Sequence, residues 1–336
     1  MGILAFLQGN VFSFVLTLKL SKKIVFWGKT TLFAGLITYI VYVLRQQPFD
    51  WAVVNTQFQT VDHPKGWGSA LLLLTPVNWG LEALKWQILL RRIEKTTYWN
   101  AYQGVLAGVS LGFALPTLLG DTAGRVLTLQ KHRTRGIGAS LVSGGVQFYV
   151  ALVFGAVAWA HYLTTAPARN TPAGRWLLIG LVGLSLGGIG FGLVRRRLIG
   201  WLSKRPVLSR FAEYWTVAGV YDDAEIALAL GVAAGRYLVF SFQFYVALRL
   251  MGIGLPPDIS ASGIGVVFLV KTITPAFNLL SDLGVREAAS LWVWTPFGVS
   301  ASVLLMATLT LWLVNVFLPV VVGLIWVWKL KWKPTN

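Results

Sequence analysis

Long apolar runs recur along this 336-residue chain, most of them close to the roughly 20 residues that a helix needs to cross a hydrocarbon core about 30 Å thick. Residues 30–45, 68–90, 137–162, 176–194, 226–250 and 299–328 are the candidate spans. Only 12% of residues are charged, against about 25% in soluble domains, so most of the surface must face something other than water. The 16 Trp suit the headgroup level of a bilayer. The fold class this predicts is an all-α polytopic membrane protein with about six full spans. We read residues 1–336 as a single membrane domain, with an interfacial N-terminal segment over 1–29, a helical bundle over 30–328 and a basic tail over 329–336.

The net charge of +17 invites a nucleic-acid reading. Against it, the basic residues sit between apolar runs and do not gather on one stretch, which excludes nucleic acid as the expected partner. Cysteine is absent, and His63, His132 and His161 are scattered, so neither a metal nor a cofactor is expected. No catalytic triad, phosphate-binding Gly-Lys loop or paired acidic motif stands out, and the chain is not expected to be an enzyme.

Most Lys and Arg residues fall in one alternating set of loops. These hold Lys19 to Lys29, Arg91 to Lys95, Arg125 to Arg135, Arg195 to Arg210, and Lys329 to Lys333. The positive-inside rule puts that set, with both termini, in the cytoplasm of a multi-pass cell (inner) membrane protein. The assignment holds only if the stretch 101–119, broken by Pro116, enters and leaves on the same side as a re-entrant hairpin. The stretch 259–280, broken by Pro275, can be treated alike from the opposite side, or can pair with 283–298 as two full crossings.

The two broken stretches share a pattern. Leu115-Pro116 is followed by Gly120-Asp121 and Arg125; Thr274-Pro275 is followed by Asp282-Leu283-Gly284-Val285-Arg286-Glu287. Each has a Pro break, then Asp with Arg four residues later, as in two halves of an inverted repeat of the kind found in secondary transporters. In each the Asp is expected to cap a helix N-terminus, with the Arg one turn along. The plain reading is a capped helix with a local ion pair. The functional one is a site for an anionic headgroup.

Charges within apolar segments are costly and usually face a cavity or a partner. The candidate substrate-binding residues are therefore Glu82, Lys85, Asp121, Arg125, Arg236, Lys271, Asn278, Asp282, Arg286 and Glu287. Glu82 and Lys85 share a helix face, and an interfacial pair with Lys85 snorkelling is the competing reading. Gly183, Gly187 and Gly188 suggest close helix packing, and Arg195–Arg197 a topology anchor touching anionic lipid.

The two Pro-broken motifs, with Asn78-Trp79, Glu82 and Lys85-Trp86, resemble the lysylphosphatidylglycerol synthase transmembrane (flippase) domain family. The resemblance implies roughly eight membrane segments and movement of lipids, including aminoacylated phosphatidylglycerol, across the bilayer. Some relatives are linked to hopanoid or isoprenoid lipids. Two-domain synthases carry a cytosolic aminoacyl-transfer part after the membrane part, and here the chain stops at Asn336, so lysyl-lipid synthesis is not expected. Ala276-Phe277-Asn278 also replaces the Gly-rich turn often found after the second Pro. The expected function is that of a flippase-like transporter of an anionic phospholipid or isoprenoid-type lipid, with a homo-oligomer left open. The alternatives are a membrane enzyme modifying a lipid headgroup, with Asp282 or Glu287 as base, and a non-catalytic scaffold of a lipid-synthesis complex.

Overall fold

A computed structural model describes residues 50–114, 117–166, 170–205, 212–274 and 284–329, all within one compact unit, Asp50–Lys329. The N-terminal segment, the candidate span 30–45, both Pro breaks, Asn278, Asp282 and nearly all of the basic tail lie outside the described residues.

Every regular element among the described residues is helical. In chain order these are α1 Trp51–Gln59, α2 Pro64–Leu90, α3 Tyr98–Ala114, α4 Thr117–Leu127, α5 Arg133–Thr165, α6 Pro172–Ser203 and α7 Ala212–Val220. They continue with α8 Asp223–Leu250, α9 Pro257–Ile273, α10 Val285–Trp294, α11 Ala301–Trp312 and α12 Leu318–Lys329. Among the described residues four helical runs are long and apolar enough to cross a membrane: α5, α6, α8 and the run Ala301–Trp328 formed by α11 and α12. α2, with 27 residues, spans about 40 Å and is long enough, but Glu82 and Lys85 interrupt its apolar character.

The ends of the bundle can be told apart. Arg92, just past α2, pairs with Asp222 at 2.9 Å and Glu225 at 2.7 Å at the start of α8, so α2 and α8 run antiparallel. Asp222 and Glu225 also form the capping box that starts α8. This end carries Arg91, Arg92, Lys131, Arg133 and Arg195–Arg197. Nearby, the Tyr221 hydroxyl donates to the Leu89 carbonyl at 2.7 Å, and burial pushes that phenol up from its ordinary range.

At the basic end α3 and α4 form a tight hairpin. Both Glu94 oxygens, ahead of α3, accept from backbone N–H groups after α4, Gln130 at 3.0 Å and Lys131 at 2.9 Å. The hairpin therefore opens and closes at the same end. Its arms of 17 and 11 residues reach about 26 and 17 Å, less than a bilayer core. Glycine lets them meet: a Cβ on Gly120 would collide with the backbone at Leu111 and Gly112, and one on Gly124 with the backbone at Ala107 and Gly108. α9 and α10, of 17 and 10 residues, pack together and open at the opposite end. There Asp258 approaches His161 of α5 at 3.7 Å, and Tyr162 donates to the Val293 carbonyl at 2.8 Å. α2 packs along α8, α12 against α3, and α5 against α9.

α11 runs into α12 through a π-helical turn, Leu313–Phe317. Pro319 is the cause, because it offers no N–H to the Asn315 carbonyl four residues earlier. α2 fills the gap. Trp79 donates its indole N–H to the Asn315 carbonyl at 3.0 Å, and Asn78 donates to Asn315 Oδ1 at 3.0 Å.

Two expectations are corrected. Asp121 is not a helix cap, since α4 already begins at Thr117. α10 starts at Val285 with Gly284 as its N-cap, whose φ of 101° suits glycine, and the expected cap Asp282 lies outside the described residues. Among the described residues the glycines of α6 do not form a close-packed seam: nothing lies against Gly183 or Gly187, and Gly188 alone of the three abuts a neighbour, the Tyr149 ring. The outer surface of α6, with Leu184, Phe191 and Leu193 exposed, has the apolar character of a lipid-facing helix.

Candidate functional site

Four helices converge on one carboxylate. Glu82 lies on α2 two turns before its end, and both its oxygens are engaged. Oε1 meets Arg125 Nη1 of α4 at 2.9 Å; Oε2 meets Lys85 Nζ at 2.8 Å and Arg236 Nη1 of α8 at 3.0 Å. Arg125 is shared, its Nε pairing with Asp121 at 3.0 Å one turn back on α4. α5 supplies Gln147, whose Oε1 accepts from Lys85 at 3.2 Å and Arg236 at 3.3 Å.

Two indole rings complete the walls. The Arg125 guanidinium lies 5.5 Å from the centre of the Trp86 ring, and that of Arg236 5.2 Å from Trp79. Both distances are within cation–π range. Trp79 thus does two jobs, holding the π turn by its N–H and Arg236 by its ring.

Glu82, Lys85 and Arg125 are buried, at 3%, 1% and 5% exposure. Burying charges costs several kcal/mol per ion, repaid only by good pairing, and here each charged group has an opposite charge at hydrogen-bond distance. The Asp121 and Arg236 side chains are more open, at 29% and 18%, so the cluster is approached from their side. Three cations face two carboxylates, leaving the set with one surplus positive charge. Such a site suits an anion, and Arg forks beside Lys suit phosphate oxygens in particular.

The structure thus brings together five of the residues singled out in the sequence: Glu82, Lys85, Asp121, Arg125 and Arg236. Lys85 does not snorkel to an interface but is held inside by Glu82. Lys271, Arg286 and Glu287 sit on the other hairpin. Lys271 lies 5.8 Å from the Phe240 ring, Arg286 is fully buried at the first turn of α10, and Glu287 accepts from the Gly284 N–H as the helix cap. Asn278 and Asp282 are outside the described residues. Gln147 escaped the sequence reading because it is neutral; its place among the apolar residues of α5 was the available signal. Among the described residues no group of His, Asp and Glu is arranged to hold a metal.

The double role of Trp79 gives a testable outcome. Trp79→Phe keeps a ring under Arg236 but leaves the Asn315 carbonyl without its donor. Thermal unfolding in detergent should show a loss of about 1–3 kcal/mol, the usual penalty for an orphaned buried polar group.

The family described as the lysylphosphatidylglycerol synthase TM region matches residues 27–323. The chain belongs to this family. No curated protein and no solved structure matches it. As a lysylphosphatidylglycerol synthase TM region, the chain is a membrane-embedded bundle connected with lipid headgroup modification or flipping. The matched residues include every member of the Glu82 cluster.

Proposed function

We propose that the protein is a lipid flippase-like transporter that moves an anionic lipid across the bilayer, with the headgroup phosphate received by the Glu82 cluster. The observation that carries this reading is the surplus of cations around one buried carboxylate, the buried Lys85 and Arg125 and the partly open Arg236, gathered on a glycine-packed hairpin and two antiparallel helices. Both carboxylates of the cluster are held in ion pairs, which favours carriage over acid–base chemistry by the chain. A general base needs a carboxylate able to reach a substrate proton.

The hairpins support the rest of the reading. α3/α4 opens at the basic end, which we assign to the cytoplasm by the positive-inside rule, and α9/α10 opens at the opposite end. Each is too short to cross, so both are taken as re-entrant. The order long helix, hairpin, long helix occurs twice with opposite sense: α2, α3/α4, α5 and then α8, α9/α10, α11/α12. Such inverted repeats place a substrate site between halves that rock against one another.

Reconstitution into liposomes containing fluorescent phosphatidylglycerol tests the function. Wild type should accelerate transbilayer movement. Arg125→Lys, which keeps the charge but cannot bridge Asp121 and Glu82, should slow movement about tenfold or more, as expected from losing one charge-assisted hydrogen bond worth about 1.5–3 kcal/mol. Failure of wild type to accelerate any lipid tried would sink the proposal.

A further inference from the structure

Glu82 occupies the position that an incoming phosphate would need. Arg125, Lys85 and Arg236 converge on its two oxygens at 2.8–3.0 Å, the geometry a phosphate would make with the same groups. In this arrangement the chain's own carboxylate holds the anion seat.

We propose that headgroup binding is coupled to proton uptake on Glu82: the phosphodiester takes the seat, and the displaced carboxylate leaves protonated. This rests on the headgroup reading above and adds the coupling ion. The reason is electrostatic. Among the described residues, other charges facing Glu82 are few. α2 brings Lys85, α4 brings Arg125 with Asp121, and α8 brings Arg236. α5 brings only the neutral Gln147. α3 has no Asp, Glu, Lys, Arg or His; its Tyr98 hydroxyl donates to the Gly80 carbonyl. The π turn offers Asn315 alone. Ala83 and Trp86, neighbours of Glu82 on α2, are themselves fully buried, so a carboxylate pushed from the cations finds no water on their side. An unpaired charge there is too costly to keep, and a buried carboxyl without partners neutralises instead.

The accounting balances. Before binding, three cations and two carboxylates give a charge of +1. Afterwards, three cations, Asp121 and one phosphodiester again give +1, with Glu82 neutral. The proton comes from hydronium in the solution on the more open Asp121 and Arg236 side; one hydronium O–H breaks as the carboxyl O–H forms, leaving water, and no other covalent bond changes. Because the ligand can leave only as Glu82 releases its proton and retakes the seat, a proton gradient can drive the headgroup in one direction.

The test titrates purified protein, in uncharged detergent and weak buffer, with dihexanoyl phosphatidylglycerol while a pH indicator follows the solution. Wild type should take up one proton per bound lipid. Its affinity should fall by up to about tenfold for each unit rise in pH, since the bound state holds the extra proton. Glu82→Gln should bind without proton uptake and with pH-independent affinity. Should that variant fail to fold, the wild-type stoichiometry decides alone. Lipid binding with no proton uptake overturns the coupling and leaves the headgroup reading standing, whereas no lipid binding at all overturns both. Inorganic phosphate, titrated separately, distinguishes the source: uptake and affinity equal to those for the lipid would make this a soluble-phosphate site and overturn the lipid assignment.

Discussion

Glu82→Leu should unfold in detergent with a loss of about 3–5 kcal/mol, the penalty for breaking a buried ion pair by removing one partner. Leucine fills the volume, so the loss is electrostatic and not a cavity effect. Among the described residues it leaves Lys85 the Gln147 carbonyl, Arg236 that carbonyl and the Trp79 ring, and Arg125 one carboxylate, Asp121, and the Trp86 ring. Adding Lys85→Met should recover part of the loss, because one of the stranded cations is then gone. If thermal unfolding of Glu82→Leu matched wild type, the cluster could not be the buried, mutually dependent set described above.

The second large effect comes from a residue that touches no charge. Gly124→Val should abolish recovery of monodisperse protein or cost at least about 3 kcal/mol, the upper end for overpacking. The added atoms meet the Ala107 and Gly108 backbone, and no rotamer change moves a backbone out of the way. Since Arg125 is the next residue, opening the hairpin also withdraws a cation from Glu82. Gly144→Ala is the matched control. It faces open space inside α5 and should be neutral or slightly stabilising, by up to about 1 kcal/mol on helix propensity. Thermal unfolding in detergent separates the two outcomes.

Hydropathy placed α2, α5, α6, α8 and the α11/α12 run close to where the structure has them, because a helix in hydrocarbon must satisfy its own backbone and so writes its length into the sequence. Charge inside apolar runs led to Glu82, Lys85 and Arg236 for the same reason. The convergence was not legible: nothing local says that residue 82 meets residues 125 and 236, since those pairings are made by helix packing and not by spacing. The expectation that Asp121 caps a helix failed for a related reason. A Pro break signals where a helix stops but not how soon the next begins, and α4 resumes at Thr117. The π turn was readable in principle from Pro319, yet a proline within an apolar run looks identical whether it yields a kink, a break or a widened turn.

The arrangement of the cluster also bears on how the chain is made. α2 reaches the membrane with Glu82 and Lys85 already three residues apart, each costing about 2.5–3.5 kcal/mol at mid-bilayer on insertion scales, and they can pair with each other at once. Arg125 follows some 40 residues later, but Arg236 emerges only after roughly 150 more residues than Glu82, a wait on the order of 10–30 s at ordinary synthesis rates. Throughout that interval Trp79 has neither its arginine nor its π turn, and α2 must be held at the insertion machinery or by the nascent hairpin. Biogenesis of this bundle is therefore completed by its late helices, which reach back to secure the polar face of one made near the start.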